Sequence, residues 1–229
     1  MIQFQNVNKV YRTGSNDYPV LRNVSIRIEK GEYVLITGKS GSGKSTLLNI
    51  LTGIDGATSG EVIVNGTNIL GFNEAQMTKW RGEHLGIVFQ FFQLIPTLSV
   101  LENLLLPMDL MNKMPKQSRV KKAKELLAMV GLSGHEGKMP STLSGGEQQR
   151  VAIARSLSND AGLIIADEPT GNLDSKNAEM VFDILEKLNK SGKTIIMVSH
   201  EREVMQGASR KIVIKDGVID EDYALKGGR

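Results

Sequence analysis

Over the first thirty residues apolar and polar positions alternate: Ile2, Phe4, Val7 and Val10, then Val24, Ile26 and Ile28, stand among polar neighbours. A period of two predicts strands with one buried face. Tyr33 to Thr37 is a short β-rich run broken by the glycines of 38–43, and Ser45 to Leu51 switches to helical spacing. Glu61 to Val64 predicts another strand, closed by the Asn65-Gly66 turn pair. His84 to Phe89 predicts a strand that delivers Gln90.

From about Pro96 to Ser158 the pattern changes. Lys116 to Val130 predicts an amphipathic helix, with Val120, Ala123, Leu126, Leu127 and Val130 on one face and lysines on the other. Gly131 supplies its C-terminal stop. A second helix is expected from about Gly145 through Leu157. Apolar strand runs then return at Leu163 to Ala166, Thr194 to Val198 and Lys211 to Ile214, with a helix at Ala178 to Leu188. Continuous apolar strands separated by helices predict a buried, mainly parallel sheet. The expected organisation is one α/β domain: residues 1–90 and 159–229 form the core with its β subdomain, and 91–158 an inserted α-helical subdomain.

Composition narrows this picture. With 229 residues the chain can bury a substantial core, and 40% hydrophobic with 23% charged residues is ordinary for a globular protein. A net charge of +3 is a weak basis for nucleic-acid binding, so no nucleic acid is expected. There is no cysteine, which excludes disulfides and thiolate metal sites. Met1 to Asn6 has no charged leader before an apolar run, so no secretory signal is expected. The most apolar stretch, Leu101 to Met111, is broken by Glu102, Asn103, Pro107 and Asp109, well short of the ~20 residues of a membrane span. Any membrane role is therefore expected through a partner.

Two motifs carry chemistry. Gly38-Lys39-Ser40-Gly41-Ser42-Gly43-Lys44-Ser45, followed by Thr46, matches the phosphate-loop pattern and lies between a strand and a helix. Its glycines let backbone N–H groups turn inward around a β-phosphate, and the helix N-terminus favours the same anion. Lys44 is expected to reach the β- and γ-phosphates of a nucleotide, and Ser45 to ligate Mg²⁺. Downstream, Asp167 and Glu168 close the apolar run Leu163 to Ala166. Alone they would read as a solvated acidic turn. At the carboxyl end of a parallel strand, Asp167 suits Mg²⁺ and Glu168 suits an attacking water.

Between these motifs stands Leu143-Ser144-Gly145-Gly146-Glu147-Gln148. The ordered set resembles the ATP-binding cassette (ABC) family. That resemblance implies a P-loop NTPase (RecA-like) core with an N-terminal antiparallel β subdomain. It also implies a homodimer with ATP sandwiched between two copies, Leu143 to Gln148 of one copy closing over Gly38 to Thr46 of the other. By the same resemblance Asp174 lies at the dimer interface and His200 contacts the γ-phosphate. Gln90 touches Mg²⁺ and the water, and Tyr11 stacks on adenine. His84 and His135 receive no role.

Gln90-Phe91-Phe92-Gln93-Leu94-Ile95-Pro96, Leu101-Glu102-Asn103 and Ala166 to Ser175 are similar to one subgroup. It holds the ATPases of macrolide exporters, lipoprotein-release systems, haem exporters, antimicrobial-peptide resistance transporters and the cell-division regulator. Lys39 stands where proline is frequent there, and Glu147 where glutamine is also common. The resemblance implies an ATPase on the inner face of the cell membrane, docked to a permease near Gln90 and the helical subdomain, serving export or mechanical transmission. Part of the apolar concentration from Phe91 to Met111 is expected to form a groove for a permease helix. Two other readings stay open. One is an ATPase that gates a membrane partner without transport. The other is a non-transport ABC protein, against which a single phosphate loop and the lack of a heptad insert argue.

Overall fold

The computed structural model describes residues 1–14, 16–199 and 207–225. The early alternation forms β1 (Ile2–Thr13), β2 (Asn16–Ile28), β4 (Ser59–Val64) and the short β5 (Thr67–Asn68), in an antiparallel sheet of order β2-β1-β4-β5. Ile2, Phe4, Val7, Val24, Ile26 and Ile28 are buried, while Val10 is half-buried. Asn65 and Gly66 have φ of 50° and 84°, the doubly positive turn that matches strand twist.

A second sheet contains β3 (Tyr33–Thr37), β6 (Leu85–Val88), β7 (Leu163–Asp167), β8 (Thr194–Val198), β9 (Arg210–Lys215) and β10 (Val218–Ala224), in the order β10-β9-β3-β8-β7-β6. All neighbours are parallel except β10, which is antiparallel to β9. Successive residues face opposite cores. Val34 and Ile36 join Val198 and Ile212 beneath the antiparallel sheet, with α1 (Lys44–Leu51) and α2 (Glu74–His84). Leu35 joins Val88, Ile164 and Met197 on the other side. There they pack with α3 (Val100–Met111), α4 (Lys116–Met129), α5 (Gly145–Ser156) and α6 (Ser175–Lys190). Each fully buried aliphatic side chain contributes about 1.5–3 kcal/mol, so both faces of the sheet anchor the phosphate loop at its edge.

β6, α2 and β10 differ from the expectation. The strand before Gln90 covers only Leu85–Val88, because His84 ends α2, a helix not expected at all. Within the expected helical subdomain, α3 runs unbroken through Pro107; the side chains of Ser158 and Asn159 donate to the carbonyls of Leu104 and Pro107 at 2.9 and 3.1 Å. β10 was not expected either. α4 ends as expected: Gly131 has φ 73°, and Leu132 N–H reaches back to Leu127 at 2.8 Å. Among the described residues, no helix is long and apolar enough to cross a membrane.

Candidate active site

The phosphate loop joins β3 to α1. Its entry residue Gly38 has φ 153°, and a Cβ there would lie 2.1 Å from the carbonyl oxygen of Ile214 in β9, so the close approach admits only glycine. The N-cap of α1 is Gly43, and no side chain caps this helix. Its first-turn N–H groups therefore carry the partial positive charge of the helix towards the loop without a protein acceptor from a cap. Ser42 Oγ is buried with no hydrogen-bond partner. Lys44 Nζ turns back onto the loop, donating to the carbonyls of Gly38 and Lys39 at 2.9 Å each. Burial pushes the Lys44 ammonium below its ordinary value, opposed by the negative charges of Glu168 and Asp167. An uncapped helix start, an orphan hydroxyl and a cation on two weak acceptors together fit a phosphate chain.

The strand order brings the acidic pair to this loop. Asp167 ends β7 opposite Val198, and Glu168 N–H donates to the Val198 carbonyl at 2.9 Å. Glu168 has φ 47°, a left-handed conformation uncommon outside glycine and asparagine, which turns the chain sharply after the strand. Gln90 lies two residues beyond β6; its carbonyl accepts from Asn172 Nδ2 at 3.2 Å. Its amide nitrogen would stand 3.0 Å from a Cβ on Gly171. Lys44, Asp167, Glu168 and Gln90 thus share one edge of the sheet. His200 lies outside the described residues.

The oxygen donors Ser45, Asp167 and Gln90 suit a hard cation such as Mg²⁺. Among the described residues no three or more His, Cys, Asp or Glu gather into a metal group.

Tyr11 is 38% exposed on β1, and its hydroxyl donates to Asp55 Oδ2 at 2.6 Å. Lys9 Nζ lies 4.7 Å from the ring centroid and also pairs with Asp55 at 2.6 Å. Burial and the Asp55 carboxylate push the Tyr11 phenol above its ordinary value, with the Thr46 hydroxyl acting against them. Tyr11 therefore stands beside the start of α1.

Leu143 precedes α5, and Ser144 is its N-cap. Ser144 and Glu147 form a reciprocal capping box: the Ser144 N–H and hydroxyl each meet Glu147 Oε2 at 2.8 Å. Gln148 Nε2 donates back to the Leu143 carbonyl at 3.2 Å. Gly145 and Gly146 form the first turn. Asp174 caps α6, accepting the Asn177 N–H at 2.9 Å.

Sequence reading missed two residues that tie these parts together. Gln149, fully buried, donates Nε2 to the carbonyls of Pro169 at 2.6 Å and Phe89 at 3.4 Å. Arg155 donates to the carbonyls of Gln93 and Phe92. The signal for Arg155 was present, a lone cation within the otherwise apolar-rich run Val151 to Leu157.

The sequence model of the family described as ABC transporter matches residues 21–171. The lipoprotein-releasing system ATP-binding protein LolD of Aquifex aeolicus is 46% identical over 219 residues, 96% of each chain. The macrolide export ATP-binding/permease protein MacB of Mannheimia succiniciproducens is 44% identical over 222 residues, covering 97% of this chain and 34% of that protein. The MJ0796 cassette, solved as a dimer, is 43% identical with a TM-score of 0.92, covering 99% of this chain and 100% of that one. A second MJ0796 structure, 42% identical with the same TM-score and coverage, is a dimeric post-hydrolysis state bound to ADP and phosphate. With this match over most of its length, the chain belongs to the ABC transporter family, as an ATP-binding cassette.

Proposed function

We propose that two copies of this chain close on two ATP molecules, reopen after hydrolysis, and so drive a membrane permease. The chain is an ABC-type ATPase, converting ATP and water to ADP and phosphate. The observation that carries the dimer reading is the likeness, over 99% of the chain, to a cassette solved as a dimer. The two separate helix starts add to it, uncapped at Gly43 and capped by Ser144 and Glu147 at the signature: one nucleotide held between two copies meets both.

In this reading residues Gly38 to Thr46 cradle the phosphates and Tyr11 covers the adenine. Lys44 leaves the Gly38 and Lys39 carbonyls for the β- and γ-phosphates. Glu168 accepts a proton from the water that attacks the γ-phosphorus while the bond to ADP breaks. His200 steadies the γ-phosphate. Ser45, Gln90 and Asp167 would hold Mg²⁺, which neutralises charge on the phosphate oxygens. Leu143 to Gln148 of the partner cover the same ATP, and Asp174 lies at the joint.

The permease reading draws on MacB, whose name joins ATP-binding and permease parts, and on LolD, named for lipoprotein release. By analogy the chain serves an exporter or mechanical-transmission system, on the inner face of the cell membrane through its permease. Phe91 and Leu110 are 70% and 77% exposed near Gln90 and on α3, apolar side chains suited to a permease helix. The test is Glu168→Gln, which should keep ATP binding, stop turnover and accumulate as dimer. Turnover at the parent rate would remove Glu168 from its role. Capture of that variant with ATP from native membranes should bring down a membrane-spanning partner; recovery of soluble proteins alone would reject the permease.

A further inference from the structure

The loop after Gln90 is held by the far end of the signature helix. Arg155 Nη1 donates to the Gln93 carbonyl at 2.6 Å, and Nη2 to the Phe92 carbonyl at 3.0 Å. Phe92 and Gln93 have φ of 56° and 51°, consecutive left-handed residues of a kind that cost energy and persist only where surroundings hold them. A guanidinium that loses water needs its donors satisfied, and here backbone carbonyls do so. On the other side of Gln90, the Phe89 carbonyl accepts from Gln149 of the same helix. A Cβ built on Gly145 would lie 3.6 Å from the Phe92 ring, so the loop runs along α5 towards its capped start. From Gly145 to Arg155 the helix extends about 15 Å without a break.

We propose that Arg155 is a positioning residue for Gln90: through α5 it fixes the Gln90 loop relative to Ser144. Engagement of Ser144 by the partner's ATP and seating of Gln90 at the chain's own nucleotide then occur together. This inference rests on the roles given to Gln90 and Ser144 under the proposed function. A purely structural role for Arg155 would lower stability without regard to Gln90, whereas positioning makes the two residues act through one step.

The test is steady-state ATP hydrolysis, with Mg²⁺, by the full chain, Arg155→Gln, Gln90→Ala and the double variant. Arg155→Gln should lower kcat on the order of tenfold while KM for ATP stays within about threefold, as for outer partners of a site. The double variant should be no slower than Gln90→Ala alone, the mark of two residues coupled in one function. Arg155→Lys, which can reach one carbonyl, should recover part of the loss, and it replaces Arg155→Gln in the cycle if that variant does not fold. Losses that multiply in the double variant, or an unchanged kcat in Arg155→Gln, would overturn the inference alone. Parent-like turnover by Gln90→Ala would overturn the assigned role of Gln90 and this inference with it.

Discussion

Asn103 and Ile95 exchange two hydrogen bonds: the Ile95 N–H donates to Asn103 Oδ1 at 2.8 Å, and Asn103 Nδ2 donates to the Ile95 carbonyl at 3.1 Å. Nδ2 also meets the carbonyls of Leu98 and Ser99 at 3.0 Å each, and Asn103 is wholly buried. One side chain therefore fastens the segment between the Gln90 loop and α3. Asn103→Leu removes donor and acceptor at once and leaves backbone groups unpaired. Urea denaturation should show a loss of about 2–3 kcal/mol. A loss below about 0.5 kcal/mol, the range of ordinary surface changes, would contradict the staple.

Gly146 is without room for a side chain. An added Cβ would fall 2.1 Å from Asn177 Oδ1, and Asn177 is engaged by Asp174 at 2.7 Å and by Arg150 at 3.2 Å. Gly146→Ala should displace Asn177 and weaken the Asp174 cap of α6, at a cost of about 1–2 kcal/mol. Calorimetry on the pair settles it: Gly146→Ala should cost less in an Asn177→Ala background than in the parent, because the amide atoms at 2.1 and 2.3 Å are gone and only the Cβ of residue 177, at 2.9 Å, remains. An equal cost in both backgrounds would place the crowding elsewhere.

The capping box gives a pH dependence. The backbone N–H of Ser144, then its hydroxyl, then His135 at 3.2 Å pull the Glu147 carboxyl down to about 2 from an ordinary 4.5. A folded value below the unfolded one means the stabilisation is complete above pH 4.5 and fades as pH falls towards 2. Thermal unfolding of the parent and Glu147→Gln should differ more at about pH 6 than at about pH 3. An equal gap at both would show that the charge of Glu147 adds nothing to the cap.

Tyr11 separates ring from hydroxyl. If the ring stacks on adenine, Tyr11→Phe should hold ATP within about twofold of the parent despite losing the Asp55 bond, while Tyr11→Ala should weaken it by about tenfold, the scale of one base–aromatic stack. Titration calorimetry in the Glu168→Gln background reads both. Equal losses for Phe and Ala would assign the effect to the hydroxyl and its link to Asp55.

Legibility followed burial. β3, β7 and β8 are covered on both faces, so their apolar runs stood out. α2 did not: its residues are polar almost all round, and only Met77 and Trp80 are buried. In α3 the difficulty was the reverse, since apolar residues on most sides blur the helical period and Pro107 mimics a stop. β10 carries Asp220, Glu221 and Asp222, a poor strand by composition. It is held partly by the fork of Arg210 on Asp222, at 2.7 Å for each bond. Spacing exposed the phosphate loop, whereas the acidic pair needed that loop beside it and the signature needed the resemblance to the family. That Asp167 and Glu168 act on Lys44, or that Gln90 abuts Gly171, follows from sheet order, which no local pattern encodes. Gln149 was hidden among polar neighbours, because a buried amide and an exposed one look alike in sequence.

β3 takes both of its neighbours from the far end of the chain, β8 at Ile195 to Val198 and β9 at Arg210 to Val213. On the ribosome, β3 must wait while about 160 further residues are made, roughly 8–30 s at ordinary elongation rates. During that interval Val34, Leu35 and Ile36 have no sheet to enter, and Gly38 lacks the Ile214 carbonyl against which its turn is set. The nascent chain can assemble its N-terminal hairpin and its helices early, but the nucleotide pocket is a late product of translation. Chains halted before β9 would bring a complete signature helix into the cell without a finished phosphate loop beside it.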